Sequence, residues 1–265
     1  MGTAKGAGMI EPNLATMLSY ILTDLDVQRN VLQDMLNDIT QTTFNCLTID
    51  GDQSTSDTVF AISSQNIPLS ASDELTEFRD GLKSICSRLS EDIVFNGEGT
   101  QHVVRIHVHN APSVSLARNL GRFVINSNLV KCAISGNDPN VGRIVGAIGS
   151  YLGSASAAPL LVGLKPGDLT QGLRVTLGGL DIYSDGAFQM SPAKEKLLSD
   201  YMLDAQLFPN EIPEHDRNYP PHRKMVEIEI FLGGSQALSS NGFDSVVLGS
   251  DLTKEYVEIN ADYRS

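Results

Sequence analysis

Thr16 directly follows a small residue, Ala15, at the end of an approach that reads Lys5-Gly6-Ala7-Gly8-Met9-Ile10-Glu11-Pro12-Asn13-Leu14. Glycine and proline at this density argue against regular helix or sheet ahead of the pair. A threonine hydroxyl is a weak nucleophile at neutral pH unless a base sits beside it. Cleavage of the Ala15–Thr16 bond would supply one, because the freed α-amine of Thr16, with an ordinary pKa near ~8, belongs to the same residue as the hydroxyl. A strained turn at Ala15 would help Thr16 Oγ attack the preceding carbonyl and form an ester by N→O acyl shift. The same residues also fit a surface loop leading into a buried strand, Met17-Leu18-Ser19-Tyr20-Ile21-Leu22.

Other chemistry-bearing groups carry weaker signals. Asp50-Gly51-Asp52-Gln53-Ser54 opens like a calcium loop. Thr55 stands where that loop needs its sixth-position glycine and Ala61 where it needs its glutamate, so a polar turn is expected. His107 and His109 share one strand face, which metal ligation could use, but the spacing offers no third ligand and predicts a polar face. Lys5-Gly6-Ala7-Gly8 lacks the Gly-Lys-Ser/Thr ending of a phosphate loop. Gly149 to Ala158 reads as a loop rather than a nucleotide cradle.

The elements that must position these groups follow from hydrophobic spacing. After a strand behind Thr16, Val27, Val31, Leu32, Met35, Leu36 and Ile39 recur at helical intervals, with Asp24 or Asp26 available as N-cap. Phe44 to Asp50 and Thr58 to Ser63 read as strands around a polar turn. Leu75, Phe78, Leu82, Ile85, Leu89 and Ile93 mark a second amphipathic helix with Ser72 as N-cap. His102 to His109 alternates, with Val104, Ile106 and Val108 on one face. Val114 to Val124 reads as helix, and Arg174 to Tyr183 as a hairpin about Gly178-Gly179. Ser191 to Leu203 reads as helix with Pro192 in its first turn. Val226, Ile228 and Ile230 alternate into a late strand, and Val257 to Ile259 into a last one. Arg217 to His222, with Pro220-Pro221, is the candidate seam. Strands and helices do not alternate regularly enough for a doubly wound sheet, so a layered α+β fold is expected.

Composition narrows the function classes. The chain has 265 residues, 19 basic against 32 acidic, for a formal charge of −13. That balance disfavours nucleic acid and anionic membrane surfaces as partners. No run of ~18 apolar residues offers a membrane span, and no signal peptide is visible. Cys46, Cys86 and Cys132 lack paired spacing and read as reduced, mostly buried thiols of a cytosol-like compartment.

The blocks Ala4-Lys5-Gly6, Gly8-Met9-Ile10, Pro12-Asn13 and Ala15-Thr16-Met17-Leu18, followed by Thr23-Asp24, resemble the self-cleaving segment of ornithine acetyltransferases (glutamate N-acetyltransferases). Further blocks come in the same order. They are Ile49-Asp50-Gly51-Asp52 with Ser54-Thr55-Ser56-Asp57-Thr58, then Asn96-Gly97-Glu98-Gly99, then Asn126-Ser127, Leu129-Val130-Lys131 and Gly136-Asn137-Asp138-Pro139-Asn140. Asp251-Leu252-Thr253 and Tyr256 to Tyr263 resemble the family's C-terminus, so the likeness covers Met1 to Ser265.

The resemblance implies an α+β, layered sheet-and-helix fold of the N-terminal-threonine-nucleophile type. Residues 1–15 would end an α portion, 16–215 form the catalytic β-chain core, and 216–265 supply C-terminal strands and a substrate-binding tail. It implies a self-cleaving acyltransferase of arginine biosynthesis that moves an acetyl group from N-acetylornithine to glutamate through an acetyl-threonine. Thr16 would be the nucleophile and a substrate contact, and Ala15–Thr16 the cleaved bond. Lys5 would meet the substrates' carboxylates, Glu98 the ornithine ammonium, and Asn260 and Ser265 would be C-terminal substrate contacts. No metal and no cofactor are implied, with acetyl-CoA as a further acetyl donor. An α chain from the same precursor would complete an α2β2 heterotetramer. The expected compartment is the cytoplasm, or the mitochondrial matrix or plastid in a eukaryote.

Two departures qualify this. The family's α portion supplies a Thr-Gly pair to the oxyanion hole, and this chain, beginning fifteen residues before Thr16, has no equivalent segment. Each missing donor is worth roughly 10²–10³ in rate. Val141 also stands where the family has a tryptophan after Asp138-Pro139-Asn140, which bears on packing more than on chemistry. Two alternatives stay open. One is an N-terminal-nucleophile aminopeptidase or amidase using Thr16, and the other a non-catalytic fragment that needs a separate α chain.

Overall fold

A computed structural model describes residues 1–9, 17–52, 56–69, 72–161, 163–208, 220–233 and 242–262, which form two compact units, Met1–Gly97 and Glu98–Ser265. The expected divisions at 15/16 and 215/216 fall outside the described residues. The architecture is layered α+β.

In the first unit, β1 (Gly2–Lys5) pairs antiparallel with β2 (Leu18–Leu25), and β2 pairs parallel with β4 (Thr58–Ile67). The two-residue β3 (Leu47–Thr48) follows a turn of 3-10 helix at Phe44–Cys46, where the sequence suggested continuous strand. Helix α1 (Arg29–Thr42) buries Leu32, Met35, Leu36 and Ile39 as its spacing requires. Its N-cap is Gln28, without a side-chain cap bond, rather than Asp24 or Asp26. Helix α2 (Ser72–Phe95) buries Leu82, Cys86 and Ile93. Burial pushes the Cys86 thiol up to about 11, so it stays protonated and inert. Cys46 is also buried and Cys132 exposed, all three free.

In the second unit, strands run in the order β10-β5-β9-β6-β7-β8. Their ranges are β5 (Val103–Ala111), β6 (Arg174–Leu177), β7 (Leu180–Ser184), β8 (Ala187–Phe188), β9 (Val226–Phe231) and β10 (Phe243–Ser250). Val104, Ile106 and Val108 of β5 are wholly buried, in one cluster with Leu116, Leu120 and Val124 of α3 (Val114–Ile125). The opposite face of β5 carries Arg105, His107 and His109. Helices α4 (Asn128–Ser135) and α5 (Val141–Leu152) extend the packed side. A five-residue helix, α6 (Pro166–Thr170), comes next. The β6–β7 hairpin turns on Gly178 and Gly179, with φ of 55° and 77°, the left-handed pair a two-residue loop demands. Helix α7 (Pro192–Asp204) starts at Ser191, whose hydroxyl accepts from Lys194 N–H.

Two expectations are overturned here. Residues 149–152 continue α5, because Ile144, Ala147, Ile148, Tyr151 and Leu152 bury one helical face and outweigh the glycines. Val257 and Ile259 lie in a helix, α8 (Lys254–Asp262), and are exposed. Two alternating apolar residues are too short a signal for a strand, and Thr253 just ahead is a helix cap.

Candidate functional site

In the first unit, the segment of greatest chemical interest is flanked by two fixed amides. Ala15 and Thr16 lie outside the described residues, as does Ile10. Upstream, Met9 N–H donates to Asp50 Oδ2 at 2.6 Å, while Asp50 Oδ1 accepts from Asp52 N–H at 3.2 Å. The Asp50-Gly51-Asp52 string is thus a turn whose carboxylate binds backbone amides, including one in the approach to Thr16. Downstream, Met17 N–H donates to Asp57 Oδ1, and Met17 O accepts from Thr58 N–H at 2.8 Å. Met17 is buried, so the residue immediately after Thr16 in sequence is held by a side chain, a strand partner and packing. A cavity of about 240 Å³ opens beside it, lined by Met17, Asn37, Thr40, Asn45, Asp57 and Thr58 among others. Lys5 ends β1 opposite Leu18 and is exposed.

In the second unit, Glu98 and Asn260, 162 positions apart, come together. Asn260 Nδ2 donates to Glu98 Oε2 at 3.2 Å. Two devices create this approach. Gly99 has φ +62°, and a Cβ there would lie 2.4 Å from the backbone nitrogen of Tyr256, so only glycine allows the Glu98 loop against α8. Thr253 Oγ1 donates to Gly99 O at 2.7 Å and accepts from Tyr256 N–H at 3.1 Å, capping α8 while binding the loop. Gln101 Nε2 also donates to Glu255 Oε2 at 3.4 Å. Glu98 presents a carboxylate, with an amide beside it, that can receive an ammonium group. Ser265 lies outside the described residues.

Beneath this cluster is a network that sequence reasoning missed. His102 and Asp251 have wholly buried side chains, with His102 Nδ1 2.8 Å from Asp251 Oδ2. Asp251 Oδ1 accepts from the N–H groups of Gln101 and His102 at 3.0 and 3.1 Å. His102 Nε2 meets Asn137 Oδ1 at 3.1 Å, and Asn137 sits at φ 55°. Buried Lys131 donates through Nζ to Ser250 O. Asn140 ends the same block by capping α5 with Oδ1 on Arg143 N–H at 3.2 Å. Two separate sequence blocks, through Asn137 and Asp251, therefore meet around one imidazole with no access to solvent, a framework rather than a reacting group. Asp251, Asn137 and Lys131 stand inside strings already singled out. His102 carried no such signal, because a lone histidine at a strand start is indistinguishable from a surface one.

The sequence model of a protein family described as the ArgJ family matches residues 1–265. The glutamate N-acetyltransferase of Methanopyrus kandleri is 35% identical over 267 residues, covering 100% of this chain and 59% of that protein. The arginine biosynthesis bifunctional protein ArgJ of Geobacillus kaustophilus is 34% identical over 271 residues, covering 100% and 56%. A crystal structure of the arginine biosynthesis bifunctional protein ArgJ from Bacillus halodurans matches with a TM-score of 0.71 at 28% identity, over 94% of this chain and 100% of that one. The chain thus spans between half and three-fifths of the length of these curated relatives.

Proposed function

Because the chain belongs to the ArgJ family, we propose that it is the acetyl-carrying part of a glutamate N-acetyltransferase of arginine biosynthesis. The observation that carries this reading is the Glu98–Asn260 contact, 3.2 Å across two distant blocks, which supports a seat for the side-chain ammonium of N-acetylornithine. The amides fixed at Met9 and Met17 support a constrained Ala15–Thr16 bond between them. Cleavage there frees the α-amine of Thr16. That amine takes the proton from Thr16 Oγ as the oxygen attacks the acetyl carbonyl. The amide C–N bond breaks, the proton passes to the departing ornithine amine, and an acetyl ester remains on Thr16. The α-amine of glutamate then attacks the ester, and its proton returns to Thr16 Oγ. Lys5 and Ser265 serve the carboxylate ends, and Asn260 holds Glu98.

The proposal includes an α chain from the same precursor, which supplies oxyanion donors and assembles with this chain as α2β2, in the cytoplasm or an organelle matrix. The solved relative matched over its whole length supports a separate chain of this extent. No cofactor takes part, and acetyl-CoA is a second acetyl source. Among the described residues no helix is long and apolar enough to cross a membrane. The test is intact-mass measurement of the enzyme reconstituted with an α portion and given N-acetylornithine alone. One acetyl group should appear on the chain starting at Thr16, glutamate should remove it, and double-reciprocal plots should be parallel. Intersecting lines with no acetylated chain would overturn the reading. Loss of the acetyl group to water regardless of glutamate would replace it with hydrolysis.

A further inference from the structure

The polar face of the second unit's sheet gathers two imidazoles and a carboxylate outside the candidate acetyl-transfer site. His107 and His109 lie on β5, with ring centroids 3.6 Å apart. The missing third ligand is Asp244 of β10, 135 positions from His109 in sequence. Register shifts between Phe243 and Ser245, and Asp244 falls in that bulge, which turns its carboxylate toward both rings. Asp244 Oδ2 lies 3.2 Å from His109 Nδ1 and 3.8 Å from His107 Nε2.

We propose that His107 Nε2, His109 Nδ1 and Asp244 Oδ2 form a site for a divalent transition metal of the zinc class, with the fourth position open to water. The three donors lie within 4.8 Å of one another. Metal–ligand bonds of ~2.0–2.1 Å set tetrahedral edges of about 3.3 Å, so the Asp244–His109 edge is already met at 3.2 Å and the Asp244–His107 edge, at 3.8 Å, is about 0.5 Å too long. The surroundings are those of a ligand set. Asn110 N–H donates to Asp244 Oδ1 at 3.1 Å, which leaves Oδ2 for the ion. Glu229 Oε1 lies 3.5 Å from His109 Nε2 without a hydrogen bond between them, and it is placed to take up a carboxylate–histidine–metal relay once an ion replaces the proton between His109 Nδ1 and Asp244 Oδ2. Thr176 Oγ1 in turn fixes Glu229 Oε2 at 3.2 Å. Phe231 stacks on the His109 ring at 4.3 Å and 5°, setting its plane. Two nitrogens and one oxygen suit Zn²⁺, Co²⁺ or Ni²⁺ rather than Mg²⁺ or Ca²⁺.

The test titrates Co²⁺ into the purified full chain, free of any polyhistidine tag, and follows visible absorption and thermal unfolding. One equivalent should bind saturably, with ligand-field bands of a nitrogen–oxygen site and a Tm that climbs with metal concentration. Asp244→Asn, nearly isosteric, and His107→Ala should each abolish the bands while metal-free unfolding shows the fold kept. Glu229→Gln should weaken binding about 10–100-fold, and Cys132→Ser, removing the exposed thiol, should change nothing. Absence of saturable binding, or bands that persist in both Asp244→Asn and His107→Ala, would overturn the site and leave an ion-pair cluster in its place.

Discussion

Glu98 and Asn260 touch, so their replacement separates charge from position. Glu98→Gln keeps the shape and the contact to Asn260 but loses the attraction to an ammonium. A charge-assisted hydrogen bond is worth about 1.5–3 kcal/mol, so kcat/KM with N-acetylornithine should fall roughly 10–150-fold, and less with glutamate as acceptor. Lys5→Met should weaken both substrates, since both carry a carboxylate. Equal effects of Glu98→Gln on both half-reactions would remove Glu98 from ornithine recognition. Asp251 makes a different prediction. Its wholly buried carboxylate serves His102 and two backbone amides, so Asp251→Ala strands three polar groups and should cost about 3–5 kcal/mol, read as a lower denaturant midpoint. At this scale dense blocks drew attention to the stretches holding Glu98 and Asp251, and no such signal marked His102 or Asp244. The roles of those two arise from partners more than a hundred positions away.

Helix α8 depends on one side chain at its start. Thr253 Oγ1 caps the helix and ties it to Gly99 O, so Thr253→Val removes both bonds at nearly constant volume. A lost cap costs about 1–2 kcal/mol, a fall of several degrees in Tm for a chain this long. Activity should drop further than stability, because Asn260 rides on the same helix. A Tm and activity unchanged by Thr253→Val would contradict the coupling. Helices and turns with local chemistry were legible, as at Val114 to Val124, Ser191 to Leu203 and the Gly178-Gly179 hairpin, although the Ser113 and Ser191 caps came only with the structure. Errors came where a short apolar pattern met a stronger local signal, as at Val257 and Ile259 behind the Thr253 cap. Glycines hid α5 for the complementary reason. Their entropic cost, about 1 kcal/mol each, is outweighed by a fully buried opposite face.

At the scale of the molecule, the layered α+β class followed from irregular strand–helix order, but the pairing of strands did not. Nothing local announces that β5 joins β10 and β9, since long-range register is a property of packing. Spanning under three-fifths of its relatives, the chain also sets a quantitative expectation. On the proposed acetyl transfer, supplying an α portion should raise the rate by roughly 10²–10³ for each oxyanion donor it brings. A chain equally active alone would contradict a donor role for that portion.

The placement of β5 also bears on biosynthesis. Its buried residues leave the ribosome long before β9 and β10, whose strands lie beyond residue 225. At the usual elongation pace the interval is roughly six to thirty seconds. Throughout it, Val104, Ile106 and Val108 form an apolar strand with both edges unpaired, a substrate for chaperones and a seed for aggregation. The polar residues between them, Arg105, His107 and His109, keep one side of that nascent strand wettable while it waits. Nascent chains stalled before β9 should therefore sediment with the insoluble fraction, and those released after β10 should not.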